Sequence, residues 1–276
     1  MKDKYSATWL SHSSITDYLK CPRAYYLKNM YRDPKNNHKI AIMQPALALG
    51  QTVHSVVESL STLPVEDRLK ESLVTKFENA WSAVSGKMGG FTSPEEEEKY
   101  KKRGVEMMER IMANPGPVLK KAIKIRQELP YFWLSEEQNI ILCGKLDWLE
   151  YMEDVDSVRI IDFKTGKFDE DPDSLQLPIY TLLAHNCQTK KVYGAQYWYL
   201  NRDTAPVDVD LPAEDDATKR LMDIARTVAL ARKLGRFVCQ QKDGCAACRP
   251  YEMILNGKAE FIGVGGYNQD TYILSK

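Results

Sequence analysis

The sequence predicts an α/β fold in which a mixed sheet flanked by helices follows an N-terminal helical region. Three observations predict it. From Ser11 to Ala113 apolar residues recur at helical spacing, with start and stop residues between the runs. From Ile125 the pattern changes to short runs rich in Val, Ile, Tyr, Phe and Trp. Helical spacing then returns over Leu175 to Ala184 and Ala213 to Leu234.

Each element has its own signal. Ser11 to Met30 reads as a helix, with Ser13 or Ser14 as its cap and Ile15, Tyr18, Leu19, Tyr25 and Tyr26 as its apolar positions. The Cys21-Pro22 step breaks or restarts it, because a proline inside a helix loses a hydrogen bond. Leu47 to Leu60 and Pro64 to Val84 are two further helices, and the glycine-rich piece Ser85 to Gly90 is a loop. Ser93-Pro94 followed by four glutamates is a strong helix start, since serine caps, proline fits the first position and acids suit the positive dipole end. Asn114-Pro115-Gly116-Pro117 stops that helix. Strand character runs over Ile125 to Leu134, Asn139 to Glu150, Ser157 to Phe163 and Val192 to Leu200. Leu211-Pro212 precedes the last long helix, and a short apolar tail closes the chain. The expected organisation is a helical region over 1–125, a core over 126–235 and a cysteine segment with tail over 236–276, integrated as one domain.

The 276 residues suffice for a sizeable core. Lys and Arg number 38, as do Asp and Glu, so the formal charge is zero and neither supports nor excludes a polyanionic partner. No apolar run reaches the length of a membrane span, and Met1 to Tyr5 lacks the apolar core of a signal peptide. The expectation is a cytoplasmic protein with no membrane partner. Its six cysteines then point away from disulfides and toward a metal or cluster.

The chemistry concentrates between Gly144 and Tyr180. Asp147 follows Gly144 by three residues, Asp162 and Lys164 share one face of a strand, Thr165-Gly166 turns the chain, and Gln176 precedes Tyr180 by one helical turn. Phosphodiester hydrolysis needs an activated water, stabilised negative charge and a neutralised leaving oxygen, and divalent ions held by carboxylates supply all three. Lys164 could orient the water or stabilise the developing charge. Taken singly, D-x-K is an ordinary strand edge, and Gln176 with Tyr180 could be a polar contact and a core aromatic.

In order and spacing these residues resemble the PD-(D/E)xK nuclease superfamily, and within it the RecB-type exonucleases. The resemblance implies a restriction-endonuclease-like core and a metal-dependent DNA exonuclease of repair, recombination, phage replication or CRISPR adaptation. It implies that His54, in Gly50-Gln51-Thr52-Val53-His54, binds Mg²⁺ or Mn²⁺ with Asp147 and Asp162, and that Lys164 is the catalytic lysine. Gln176 and Tyr180 would line the DNA path or brace the site. Glu128 matches a frequent acidic position more weakly. The stretch Ser13 to Tyr25, with Cys21-Pro22-Arg23, resembles the opening of the CRISPR-associated and AddB-type nucleases, in which one N-terminal and three C-terminal cysteines hold a [4Fe–4S] cluster. Cys21, Cys239, Cys245 and Cys248 are the ligands this implies. Here the pattern departs from the family, because no cysteine follows the Cys245–Cys248 pair and Cys239 precedes it. Zn²⁺ in a closed site, or no metal, stay open beside the cluster. Cys143 and Cys187 read as structural.

Arg23, with neighbouring Lys28, Arg32, Tyr25 and Tyr26, is a candidate for DNA contact, as is the basic run Lys120, Lys121, Lys124 and Arg126. The Tyr197 to Tyr199 run reads as core. Nothing suggests base readout, so DNA binding is expected to be sequence-independent. No helicase phosphate-binding loop is present, so any unwinding would come from another chain, and a helicase or an integrase is a possible partner. The alternative to an enzyme is a non-catalytic DNA-end-binding or scaffold subunit.

Overall fold

In the computed structural model, which describes residues 3–274, helices dominate the first half and strands the second. The chain opens with β1 (Thr8–Leu10), α1 (His12–Lys20), the one-turn α2 (Pro22–Tyr25) and β2 (Lys39–Ile42). Helices α3 (Pro45–Leu60), α4 (Leu73–Trp81) and α5 (Pro94–Ala113) follow. Next come β3 (Tyr131–Ser135), β4 (Ile140–Cys143), β5 (Trp148–Met152), β6 (Ser157–Lys164), α6 (Gln176–Cys187), β7 (Lys191–Tyr199) and β8 (Val207–Val209). The chain ends with α7 (Glu214–Leu234), α8 (Arg249–Leu255), β9 (Ala259–Gly265) and β10 (Gln269–Leu274). Among the described residues no helix is long and apolar enough to cross a membrane.

Local chemistry sets the helix ends. Ser11 and Ser14 cap α1 reciprocally, each side chain bonding the other's backbone N–H. Cys21 is extended, which ends α1 and lets Pro22 begin α2. Ser93 accepts from Glu96 N, with Pro94 in the first turn of α5. Gly235 closes α7 in the left-handed region at φ 62°.

The central sheet has the order β5-β6-β7-β8, with β6 and β7 parallel and both outer pairs antiparallel. Ile161 and Phe163 on one face of β6 join Trp148, Trp198 and the buried stripe of α3 (Leu49, Val53, Val56, Val57, Leu60) in one core. Val158 and Ile160, on the other face, pack with Leu177 and Ala184 of α6. Period-2 alternation on β6 thus separates two cores and leaves Asp162 and Lys164 on the α6 side. Helices α4 and α5 approach closely at Gly104, where an added Cβ would lie 2.0 Å from Phe77 Cζ. A second sheet, β1-β4-β3, packs with α1, α6 and α7 around Leu10, Ile140, Ile179 and Val228. The third sheet is β2-β10-β9.

The structure departs from the sequence expectations at several elements. Pro64 to Val84 is not one helix. Val65–Asp67 form a single 3-10 turn of helix, residues 68–72 turn away, and α4 begins at Leu73. The cause is Arg68, which is buried and donates to the carbonyls of Leu63, Val118 and Lys120 at 3.2, 2.7 and 2.7 Å. The strand expected from Ile125 starts only at Tyr131, after Pro130, so Glu128 lies off the strand and exposed. The strand expected over Asn139 to Glu150 is interrupted between Cys143 and Trp148. Gly144 packs there against α6, where a Cβ would meet Leu183 Cδ1 at 2.9 Å. The apolar tail is a β-hairpin, and β1, β2 and β8 were not expected at all.

Candidate functional site

Three elements bring the predicted residues together. Asp147 sits in the irregular link before β5, and its Oδ2 accepts from Phe163 N of β6 at 3.0 Å. That bond fixes the carboxylate beside the strand carrying Asp162. His54 projects from α3, one turn after Gly50, and Gly50 comes close to Thr165 Oγ1 at the end of β6. His54 Nδ1 lies 3.3 Å from Asp147 Oδ2. Lys164 Nζ lies 3.0 Å from Asp162 Oδ2 and 2.8 Å from Glu170 Oε2. From the first turn of α6, Gln176 donates to Asp162 Oδ1 at 2.8 Å and to the Tyr180 hydroxyl at 3.2 Å, while its Oε1 accepts from Lys164. Gln176 and Tyr180 therefore brace the carboxylate and the lysine. Lys164 also lies over the Tyr197 ring, 4.7 Å from its centroid.

The electrostatics are those of a crowded anionic site. Burial, reinforced by the Asp147 charge, pushes the Asp162 carboxyl up to about 7 against the pull of Lys164. Burial acts to lower Lys164, but Asp162 and Glu170 outweigh it, so its value is raised and the ammonium stays charged. Burial likewise opposes the charged form of His54, and the hydrogen bond and charge of Asp147 reverse that, raising its value.

The residues fit a divalent cation on two observations. Ligand atoms of His54, Glu58 and Asp147 lie within 4.8 Å of one another. Asp162 Oδ2 is buried and accepts no hydrogen bond, although the Lys164 ammonium is near it. A second, buried carboxylate beside the His54, Glu58 and Asp147 group, its charge only partly offset by Lys164, suits a hard cation.

Glu58 and Glu170 were not singled out by the sequence reading. Glu58 had a usable signal, since it follows His54 by four residues and so shares its helix face. It also pairs with Lys145 at 2.7 Å. Glu170 had none, being one acid among Asp169, Glu170 and Asp171 in a loop. His12, at the start of α1, faces Glu170 and Lys164, and burial lowers its value.

The second constellation is the cysteines. Cys21 leaves the end of α1, Cys239 and Cys245 lie in the link after α7, and Cys248 precedes α8. The four sulfurs lie within 4.8 Å of one another, with Cys245 and Cys248 Sγ 3.8 Å apart. Cys239 thus folds back onto the pair. Backbone donors, first that of Cys248, draw the Cys245 thiol down to about 6, whereas burial pushes Cys248 up to about 12. Arg23 lies here and not with Lys164, paired to Glu252 at 2.6 Å. Cys143 and Cys187 stand apart. The Cys143 thiol is raised to about 11 by burial, and Cys187 Sγ is 3.5 Å from Tyr131 O.

Comparison with known proteins agrees with this geometry. No curated protein matches the chain in sequence. Among solved structures, the crystal structure of a protein described as a putative exonuclease from Eubacterium rectale is similar in fold. Its TM-score is 0.51 at 14% identity, over 88% of this chain and 87% of that one. The family model of the PD-(D/E)XK nuclease superfamily matches residues 9–253, a span from β1 into α8 that holds both constellations. The chain belongs to the PD-(D/E)XK nuclease superfamily.

Proposed function

We propose that this nuclease is a divalent-metal-dependent exonuclease of the RecB type that hydrolyses DNA without sequence preference. The observation that carries the reading is two adjoining pairs, His54 with Asp147 and Lys164 with Asp162, beside a group in which ligand atoms of His54, Glu58 and Asp147 lie within 4.8 Å of one another. His54, Asp147 and Asp162 would hold Mg²⁺ or Mn²⁺. The ion supplies Lewis-acid stabilisation of the phosphoryl oxygens and a water of lowered pKa. Lys164, charged and held by Asp162, Glu170 and Gln176, presents its ammonium where the attacking water and the developing negative charge would lie. Gln176 donates to Asp162 Oδ1 and so fixes the carboxylate whose other oxygen pairs with Lys164. The basic side chains Lys124 and Arg126 line the adjoining cleft and suit a phosphate backbone. Such an enzyme would serve repair, recombination, phage replication or CRISPR adaptation in the cytoplasm, with a helicase or an integrase as a possible partner and any unwinding supplied by another chain.

Cys21, Cys239, Cys245 and Cys248 would hold a structural centre. The RecB-type resemblance favours a [4Fe–4S] cluster. The 3.8 Å Cys245–Cys248 spacing favours Zn²⁺, since a tetrahedral ion with Zn–S near 2.3 Å sets sulfurs about 3.8 Å apart. Visible absorption of anaerobically purified protein separates the two.

The test is degradation of end-labelled DNA with Mg²⁺ or Mn²⁺. Lys164→Ala should lose ~100-fold or more of the rate while its unfolding midpoint holds. A folded, cysteine-loaded wild type that binds DNA and cleaves none would refute the enzyme and leave a DNA-binding scaffold.

A further inference from the structure

The hairpin β9–β10 turns through Gly266, Tyr267 and Asn268, beside the candidate centre. Tyr267 is 94% exposed, and its hydroxyl donates to Glu128 Oε1 at 3.4 Å. Glu128 lines a cleft of about 280 Å³, with Lys124 and Arg126. Glu58, Lys145 and Asp147 line the same cleft. Through Glu128 the ring therefore adjoins the cleft that holds Asp147.

Two further features mark this turn. Tyr267 and Asn268 both take left-handed backbone conformations, at φ 57° and 53°. Asparagine enters that region readily, whereas a bulky aromatic does so at a cost. A tyrosine kept at an exposed position, where asparagine or glycine would fold better, calls for a role outside folding. The hairpin is also firmly aimed. Asp270 is buried and accepts from His38 Nδ1 at 2.7 Å and Asn36 Nδ2 at 2.8 Å, and Lys39 N donates to Asn268 O at 3.0 Å. Among the described residues, Lys124 and Arg126 have no ion-pair partner, so both cations are available to phosphates.

We propose that Tyr267 is a stacking platform for an unpaired base of the strand whose phosphates Lys124 and Arg126 guide toward Asp147. The inference rests on the nuclease reading and adds to it a substrate-positioning residue. Stacking on a phenol ring is sequence-tolerant, because every base has a π-face. The ring acts on the path of the strand and not on the reacting phosphate.

The experiment uses single-stranded oligonucleotides carrying one 2-aminopurine, whose fluorescence changes on stacking, with Mg²⁺ present. Binding is measured in the Lys164→Ala protein, alone and combined with Tyr267→Asn or Tyr267→Phe. Asparagine suits the left-handed turn, so Tyr267→Asn keeps or raises the unfolding midpoint and removes the ring with its hydroxyl contact to Glu128, whereas Tyr267→Phe removes the hydroxyl alone. Tyr267→Asn should raise Kd about tenfold and abolish the fluorescence change at the stacked position, and Tyr267→Phe should keep both. In the otherwise native enzyme, Tyr267→Asn should raise KM about tenfold and leave kcat within about twofold. Unchanged Kd and fluorescence in Tyr267→Asn overturn the inference while wild-type cleavage leaves the nuclease reading intact. A ring-dependent signal in a protein that cleaves no DNA would instead sink the nuclease reading alone.

Discussion

Lys164 is ion-paired to the carboxylates of Asp162 and Glu170 and donates to the amide oxygen of Gln176. Such a lysine has little rotamer freedom left to lose when substrate arrives, which is the structural meaning of preorganisation. At the same scale, Glu58 has two candidate roles, partner of Lys145 or member of the cation site with His54 and Asp147. We expect Glu58→Gln to raise the Mn²⁺ concentration needed for half-maximal cleavage about tenfold, the size typical of groups that support a metal site. An unchanged metal requirement would restrict Glu58 to its ion pair. The residues legible in the sequence were those whose chemistry is fixed by local spacing. Asp162 and Lys164 share a strand face, and Gln176 and Tyr180 share a helix face. Glu170 was not legible, because its contact with Lys164 depends on how a loop folds back, with Glu170 N donating to the Tyr199 hydroxyl at 3.1 Å.

Of the long helices, α5 was readable from its Ser93 cap and α3 and α7 from their periodicity, and β6 and β7 from their strand-like residue types. The short strands were not. Strands β1 and β2 span three and four residues, too few to establish a period, and their partners β4 and β10 lie far along the chain. Arg68 shows the converse case, a charged residue that reads as surface helix and is in fact the buried donor of a turn. Asp270 joins the hairpin to the segment before β2. Burial acts to raise its carboxyl, and hydrogen bonds from His38 and then Asn36 outweigh that, so its value is lowered. A carboxyl lowered in the folded state stabilises the protein above the unfolded value of about 4, and that stability is lost as pH falls through the lower folded value. Asp270→Asn should therefore cost about 1–2 kcal/mol at pH 7, with the gap to wild type closing below about pH 4. Urea unfolding of both proteins across pH 3–7 measures it, and a pH-independent gap would contradict this account.

Across the whole molecule, Cys21 meets Cys239, Cys245 and Cys248, and β2 meets β10, so early and late segments are joined twice. The cysteine set itself was legible by resemblance. The return of Cys239 from the other side of the pair was expected from the loop Gln240 to Gly244, and the four sulfurs do lie within 4.8 Å of one another. An ion or cluster bound to all four thiolates contributes its binding energy to folding. Cys248→Ser should then lose that contribution. Even about 3 kcal/mol corresponds to a fall in Tm of roughly 6–12 °C for a chain of this size class. Calorimetry of wild type, variant and chelator-treated protein provides the measurement, and equal midpoints for all three would mean that the site binds nothing.

The same closure bears on how the chain is made. Synthesis proceeds from the N-terminus, and domains ordinarily fold as they emerge. Here Cys21 and β2 emerge early and wait for residues 239–274, so neither the thiolate set nor the third sheet can form until nearly all of the chain has been translated. Until then Ile40 and Ile42 of β2, buried in the finished fold, lack the strand β10 that pairs with them. A nascent chain of this protein is therefore exposed to aggregation and proteolysis for longer than its size alone would imply. A message cut short before Cys248 would yield a product that contains every residue of the candidate centre but lacks the fourth thiolate and the strands β9 and β10.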